Sequence, residues 1–136
     1  MNGLVLDTSS LLAYASGESI EPGAMIALAG EDPDQQVWIP ALCLGEVARS
    51  PAGTKHSALL DVLIGPDSDV RIAVYDGPTS RRVARIAAEQ GITQDAAHAL
   101  ATALLYRCYL VTGAGDVAAA AGRLGVEVLD LTRTWD

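Results

Sequence analysis

Apolar residues along this chain alternate between short unbroken runs and stripes at helical spacing. Leu4-Val5-Leu6 is a run too short for a helix, and it suits a strand buried on both faces of a parallel sheet. Val37-Trp38-Ile39, Val70-Arg71-Ile72-Ala73-Val74, Tyr109-Leu110-Val111-Thr112 and Val126-Glu127-Val128-Leu129 read the same way, and Arg71 hints that the third strand lies at an edge. Between these runs the pattern predicts helices over about Ser10–Ala15, Gly23–Ala29, Ala41–Arg49, His56–Ile64, Pro78–Gln90, Gln94–Arg107 and Val117–Leu124. Pro22 and Pro40 suit first turns, Thr93 suits an N-cap, and Gly91 and Gly125 suit helix ends. Glu31–Gln36, Pro51-Ala52-Gly53 and Gly65–Asp69 read as loops or turns. Strands and helices in alternation predict an α/β fold: a three-layer α/β/α sandwich around a central parallel sheet, with residues 1–136 as one domain.

Charge narrows what such a domain does. Seventeen acidic residues against nine basic ones leave a net charge of −8, which argues against holding nucleic acid on a broad basic surface. It leaves room for an enzyme that reaches a phosphodiester through bound metal ions. Lys55 is the only lysine, and four Tyr, two Trp and no Phe do not build an aromatic platform for bases. Arg81, Arg82 and Arg85 read as a solvated helix face before they read as a grip on RNA phosphates. No apolar run approaches the roughly 18 residues of a membrane span, and the start lacks the basic leader of a signal peptide. Cys43 and Cys108 form no CxxC pair, so neither a zinc site nor a disulfide is indicated. A reduced, cytoplasmic protein with no membrane partner is the expectation.

The carboxylates carry the chemistry. Asp7 ends the first strand and Asp116 follows the fourth, so if those strands are neighbours both acids reach one crevice at the carboxyl end of the sheet. Glu46 lies on the helix after the second strand, and Asp95 lies in the first turn of the helix that leads into the fourth. Acids gathered this way repel one another unless something positive intervenes, and an all-oxygen set suits Mg²⁺ or Mn²⁺. Each has a plainer reading as well. Asp7 or Thr8 caps a helix, Asp95 answers a helix dipole, Asp116 caps the last helix, and Glu46 pairs with Arg49. His98 shares a helix face with Asp95, and a packed or hydrogen-bonded ring is expected there rather than a ligand.

Four stretches together resemble a PIN domain: Leu4-Val5-Leu6-Asp7-Thr8-Ser9-Ser10-Leu11-Leu12-Ala13-Tyr14, Ile39-Pro40-Ala41-Leu42-Cys43-Leu44-Gly45-Glu46-Val47-Ala48, Asp95-Ala96-Ala97-His98-Ala99 and Leu110-Val111-Thr112. The likeness is to small bacterial VapC-type toxins of toxin–antitoxin pairs, and it covers nearly the whole chain in order. It implies endonucleolytic cleavage of RNA at an acidic Mg²⁺ or Mn²⁺ site, a homodimer and a neutralising antitoxin. Asp7, Glu46 and Asp95 match the family's three best-defined acidic positions. The family's fourth acid or amide stands two residues after the threonine that ends the fourth strand. Here that place is Ala114, and the nearest acid is Asp116.

The resemblance and the residues together point to metal-assisted phosphodiester hydrolysis. Asp7, Glu46 and Asp95 would surround one ion and Asp116 would help place a second, with Thr8, Ser9 or Thr112 bonding the ligand carboxylates or the water. The alternative is a PIN-like binding module, weakened in catalysis through Ala114, that acts through a protein or RNA partner. A phospho-accepting receiver needs a lysine after its last strand, and a dehalogenase-type phosphatase needs an acid where Ser9 stands. Trp135 is a candidate interface residue near the C-terminus.

Overall fold

A computed structural model of the chain describes residues 3–17 and 21–131, so Trp135 lies outside the described residues. The strands are β1 (Gly3–Leu6), β2 (Gln36–Pro40), β3 (Arg71–Ala73), β4 (Tyr109–Thr112) and β5 (Val128–Asp130). All pair in parallel in one five-stranded sheet of order β3-β2-β1-β4-β5. Every residue of β1 is buried, as its central place demands. Gly3 at its start has φ of +153°, and a Cβ there would stand 1.9 Å from the Gln36 carbonyl oxygen, so only glycine lets β1 lie this close to β2. β3 is the edge strand that Arg71 suggested, though only three residues of the expected five form it.

Helices α1 (Thr8–Ser16), α2 (Glu21–Glu31), α3 (Ala41–Arg49), α4 (Pro51–Lys55), α5 (Ser57–Ile64), α6 (Gly77–Gln90), α7 (Gln94–Tyr106) and α8 (Gly115–Arg123) flank the sheet and complete the α/β/α layering. The expected helices are all present, with ends that differ by a few residues. α4 was expected to be loop. It forms because Pro51 suits a first turn and the Ser50 hydroxyl accepts from the Gly53 N–H at 3.0 Å. Gly53 is needed for close packing, since a Cβ would lie 1.8 Å from the Val47 carbonyl oxygen.

Val5, Leu6, Ile39, Leu110 and Val111 form the sheet's share of the core, met by Leu11, Val47, Val83 and Leu100 from the helices. Each such side chain contributes about 1.5–3 kcal/mol by leaving water. α7 is buried without a break from Ala96 to Ala103, and its alanines let it lie across β1, β2 and β4. Its end is pinned where Tyr106 stacks on Trp38 at 3.9 Å, with the Arg71 guanidinium 5.7 Å from the Trp38 ring. This placement sets Asp95, in the first turn of α7, beside the residues that follow β1.

Candidate functional site

β1 and β4 are neighbours, with Leu6 opposite Val111, so the chain turns out of the sheet at Asp7 and at Gly113 side by side. That is the crevice where open α/β sheets place ligands. Asp7 is the N-cap of α1: its Oδ1 accepts from the Ser10 N–H at 2.9 Å and its carbonyl accepts from the Leu11 N–H at 3.0 Å. The plain capping reading is therefore true, and it is not the whole of the residue. The Ser9 hydroxyl donates to Oδ1 at 2.7 Å, and the Thr112 hydroxyl donates to Oδ2 at 2.5 Å.

Backbone amides fix where those hydroxyl protons go. Gly113 N–H donates to Ser9 Oγ at 2.8 Å and Ala114 N–H donates to Thr112 Oγ1 at 3.1 Å. With an acceptor site on each hydroxyl already filled, both protons are free to face the carboxylate. Asp7 is only 2% exposed, and burial pushes its carboxyl above the ordinary range despite the bonds from Thr112, Ser9 and Ser10, which lower it. The result is a desolvated, well-oriented carboxyl group, bonded among the described residues by hydroxyls and a backbone amide.

Asp95 is tied to the same corner by Thr8, whose hydroxyl donates to its Oδ2 at 2.5 Å. Burial pushes the Asp95 carboxyl up, but hydrogen bonds from Thr8, Thr93 and the backbone of its own turn outweigh it, and the group lies below the ordinary range. Behind both acids lies Cys43 of α3, its Sγ 3.2 Å from the Asp95 carbonyl oxygen. Burial drives the Cys43 thiol far above its ordinary value, so it serves as a neutral wall. Cys43 falls within the second PIN-like stretch, but nothing in the sequence marked its side chain as part of this site.

Glu46 stands at i+3 from Cys43, the residue of α3 whose thiol meets the Asp95 carbonyl. Its carboxylate is held by Arg49, with Nη2–Oε2 at 2.6 Å and Nε–Oε1 at 3.1 Å, so the pairing with Arg49 is also realised. The Arg49 guanidinium is raised chiefly by its hydrogen bond to Glu46 and by the charge of that carboxylate. Asp116 is exposed in the first turn of α8, where its Oδ1 accepts from the Val117 N–H at 2.9 Å. It is inside the helix rather than its cap, because α8 starts earlier than the pattern predicts and Ala114 holds the N-cap position.

His98 is structural. Its Nδ1 accepts from the Leu42 N–H at 3.4 Å, Tyr75 tilts against it at 5.4 Å, and burial lowers its pKa, so the ring is neutral and joins α7 to the start of α3. Among the described residues no three acids, histidines or cysteines stand together as a ready-made metal cage. The donors nevertheless suit a hard divalent cation: they are carboxylate oxygens, and Asp7 Oδ2 takes one donor where Oδ1 takes two. A cavity of about 340 Å³ lies elsewhere, by Gln36 and Arg71 at the amino ends of β2 and β3.

No family model and no curated protein sequence matches this chain. Solved structures do. A chain of VapBC2 from Rickettsia felis, bound to a DNA fragment from its promoter, is 16% identical with a TM-score of 0.63, covering 98% of either chain. A chain of DNA-bound VapBC from Salmonella typhimurium is 17% identical with a TM-score of 0.61, over 96% of this chain and 98% of that one. VapBC-1 from nontypeable Haemophilus influenzae gives 14% identity and 0.59 over 96% and 98%. The fold of this chain is that of the PIN domains in VapBC complexes, as its sequence motifs suggested.

Proposed function

We propose that this chain is a Mg²⁺- or Mn²⁺-dependent endoribonuclease, a VapC-like PIN toxin that hydrolyses RNA phosphodiester bonds, with all 136 residues in one domain. The observation that carries the reading is Asp7: a buried carboxylate at the end of the central strand, supplied with donors and joined through Thr8 to Asp95. Asp7, Asp95 and Glu46 would hold the cation, with Asp116 available for a second. A bound divalent ion supplies an acidified water and positive charge for the phosphate.

The protein's own residues prepare that corner. Ser9 and Thr112 keep both oxygens of Asp7 oriented, and Thr8 does the same for Asp95. Gly113 and Ala114 hold the two hydroxyls in turn through their backbone amides. Cys43 keeps solvent from the back of the site. Because the chain carries a net charge of −8, the cation also accounts for how an acidic crevice accepts a polyanion. A cognate antitoxin belongs to this proposal, supported by likeness to chains from VapBC structures, and so does the homodimer that the family resemblance implies. No helix among the described residues is long and apolar enough to cross a membrane, which accords with a cytoplasmic RNA substrate.

A second reading is favoured by one observation. Ala114 stands at the family's fourth acidic position, while Asp116 is spent on its own helix backbone. On that reading the domain binds a partner and does not cut. Cleavage of total RNA with Mn²⁺, beside EDTA and Asp7→Asn controls and with Mn²⁺ binding followed in parallel, separates the two. Metal-dependent cutting lost in both controls is the expected result. Neither binding nor cutting would hand the case to the binding module.

A further inference from the structure

The large apolar side chains exposed among the described residues fall in two groups. Leu59, Val62 and Ile64 belong to α5, while Ile72, Val74, Tyr75, Leu104 and Leu105 belong to the β3 edge and the last turn of α7. The second group surrounds a hollow of about 40 Å³. Val74 and Leu105, 64% and 57% exposed, line it with Ala73, Arg82 and Tyr106. His98 lines it too, and Tyr75 leans on that ring at 5.4 Å. β3 pairs only with β2, and Arg71 is the one charged residue guarding its outer edge.

Area and charge say what covers this surface. Its five side chains leave roughly 450 Å² of apolar area in water, large for a monomer that stays alone. One side of a standard interface, about 800 Å², carries an apolar share of that size. No acid occurs from Val70 to Tyr75 or from Ala96 to Tyr106, and Asp76, which follows, feels the positive charge of Arg82. Two copies of a chain with net charge −8 can therefore meet here without setting acid on acid. α5 is unlike it: Asp61, its only charge, stands between Leu59 and Val62. A two-fold contact through α5 would bring like charges together as it dried.

We propose that the β3 edge and the last turn of α7, centred on Val74 and Leu105, form the surface through which two copies of this chain associate. This gives a place to the homodimer named above and rests on that pairing alone, not on the nuclease chemistry.

Sedimentation velocity on the full chain in EDTA tests it, comparing wild type with Val74→Glu, Leu105→Arg and, as a control on α5, Val62→Glu. All three positions are more than half exposed, so urea melts should show folded proteins of similar stability. Wild type should sediment as a dimer at about 50 µM, because interfaces of this size reach micromolar affinity or better. Val74→Glu and Leu105→Arg should each weaken the dimer by about tenfold or more, and Val62→Glu by less than about twofold. A wild-type monomer at that concentration overturns the inference, as does a dimer that survives both substitutions. Dissociation by Val62→Glu in their place would move the contact to α5 and overturn it as well. RNA cleavage by a monomer would sink this inference and leave the nuclease reading standing; a dimer that neither binds Mn²⁺ nor cuts would do the reverse.

Discussion

The crevice has two unlike walls. On the side of β1 and β4, Asp7 is 2% exposed and the hydroxyls that bond it are held in turn: Gly113 and Ala114 hold Ser9 and Thr112, which hold Asp7. On the other, Glu46 of α3 pairs with an exposed arginine and Asp116 of α8 bonds the adjoining amide of its own helix turn. The first wall is fixed before any ligand arrives, whereas the second can rearrange at little cost. Preorganisation belongs where a ligand must be held in one geometry, and exchangeable contacts belong where charge must enter and leave.

If that contrast describes the site, substitutions on the rigid wall have the larger effects. Asp7→Asn should reduce RNA cleavage by more than the roughly 10–100-fold that follows loss of a ligand's supporting partner. Retained activity would remove Asp7 from the mechanism. Thr112→Val comes next. It strips Oδ2 of its donor while leaving the carboxylate buried, and should weaken Mn²⁺ binding by roughly 10–100-fold. The same change should lower stability by about 1–3 kcal/mol, read from urea melts. A Thr112→Val protein with wild-type affinity and stability would show that the rigid wall is not needed.

The third prediction reverses sign. Burial raises Asp7 above its ordinary value near 3.8, so the native state holds this proton more tightly than the unfolded chain. Stability from Asp7 is then fully present below 3.8 and is lost as pH rises through the raised native value. Asp95, which lies low, does the opposite: its contribution is present above 3.8 and lost as pH falls through its lowered native value. Asp7→Asn should therefore melt higher than wild type at neutral pH without metal. The difference should shrink toward pH 4, and saturating Mn²⁺ should reverse it by stabilising wild type alone. A gap that does not move with pH would mean that Asp7 is not desolvated as its burial indicates.

How much of this the sequence discloses differs between the walls for a physical reason. Strand-terminal Asp7, the apolar runs and the parallel sheet are legible because buried strands need continuous apolar residues and a carboxylate ending one is conspicuous. Asp95 and Glu46 stand out against the apolar stretches around them. The donors from Gly113 and Ala114 are invisible to residue patterns, since they are backbone amides whose direction depends on how β4 ends. Cys43 is silent because a buried thiol reads as any small apolar residue. Helix α4 was hidden by Pro51 and Gly53, breakers in most settings, because its stability comes from a Ser50 cap and tight packing on α3. The start of α8 was read too late for a related reason: two glycines masked a first turn that places Asp116 outside the buried corner.

Asp116 gives the smallest predicted effect and the sharpest test of the flexible wall. Its carboxylate is exposed, bonds the Val117 amide and lies beyond the Gly113–Ala114 turn that holds the rigid network. Its benefit to the N-terminus of α8 is a surface helix-dipole contribution of roughly 0.3–1 kcal/mol. Asp116→Asn should thus cost little stability and change Mn²⁺ affinity less than about threefold, since an exposed acid is well screened. Cleavage under saturating Mn²⁺ is the informative readout. A loss there comparable to that of Asp7→Asn would mean that α8 swings Asp116 inward when RNA or metal binds. The α8 wall would then be a catalytic element assembled by its ligand, and the contrast between the walls would be one of timing rather than importance.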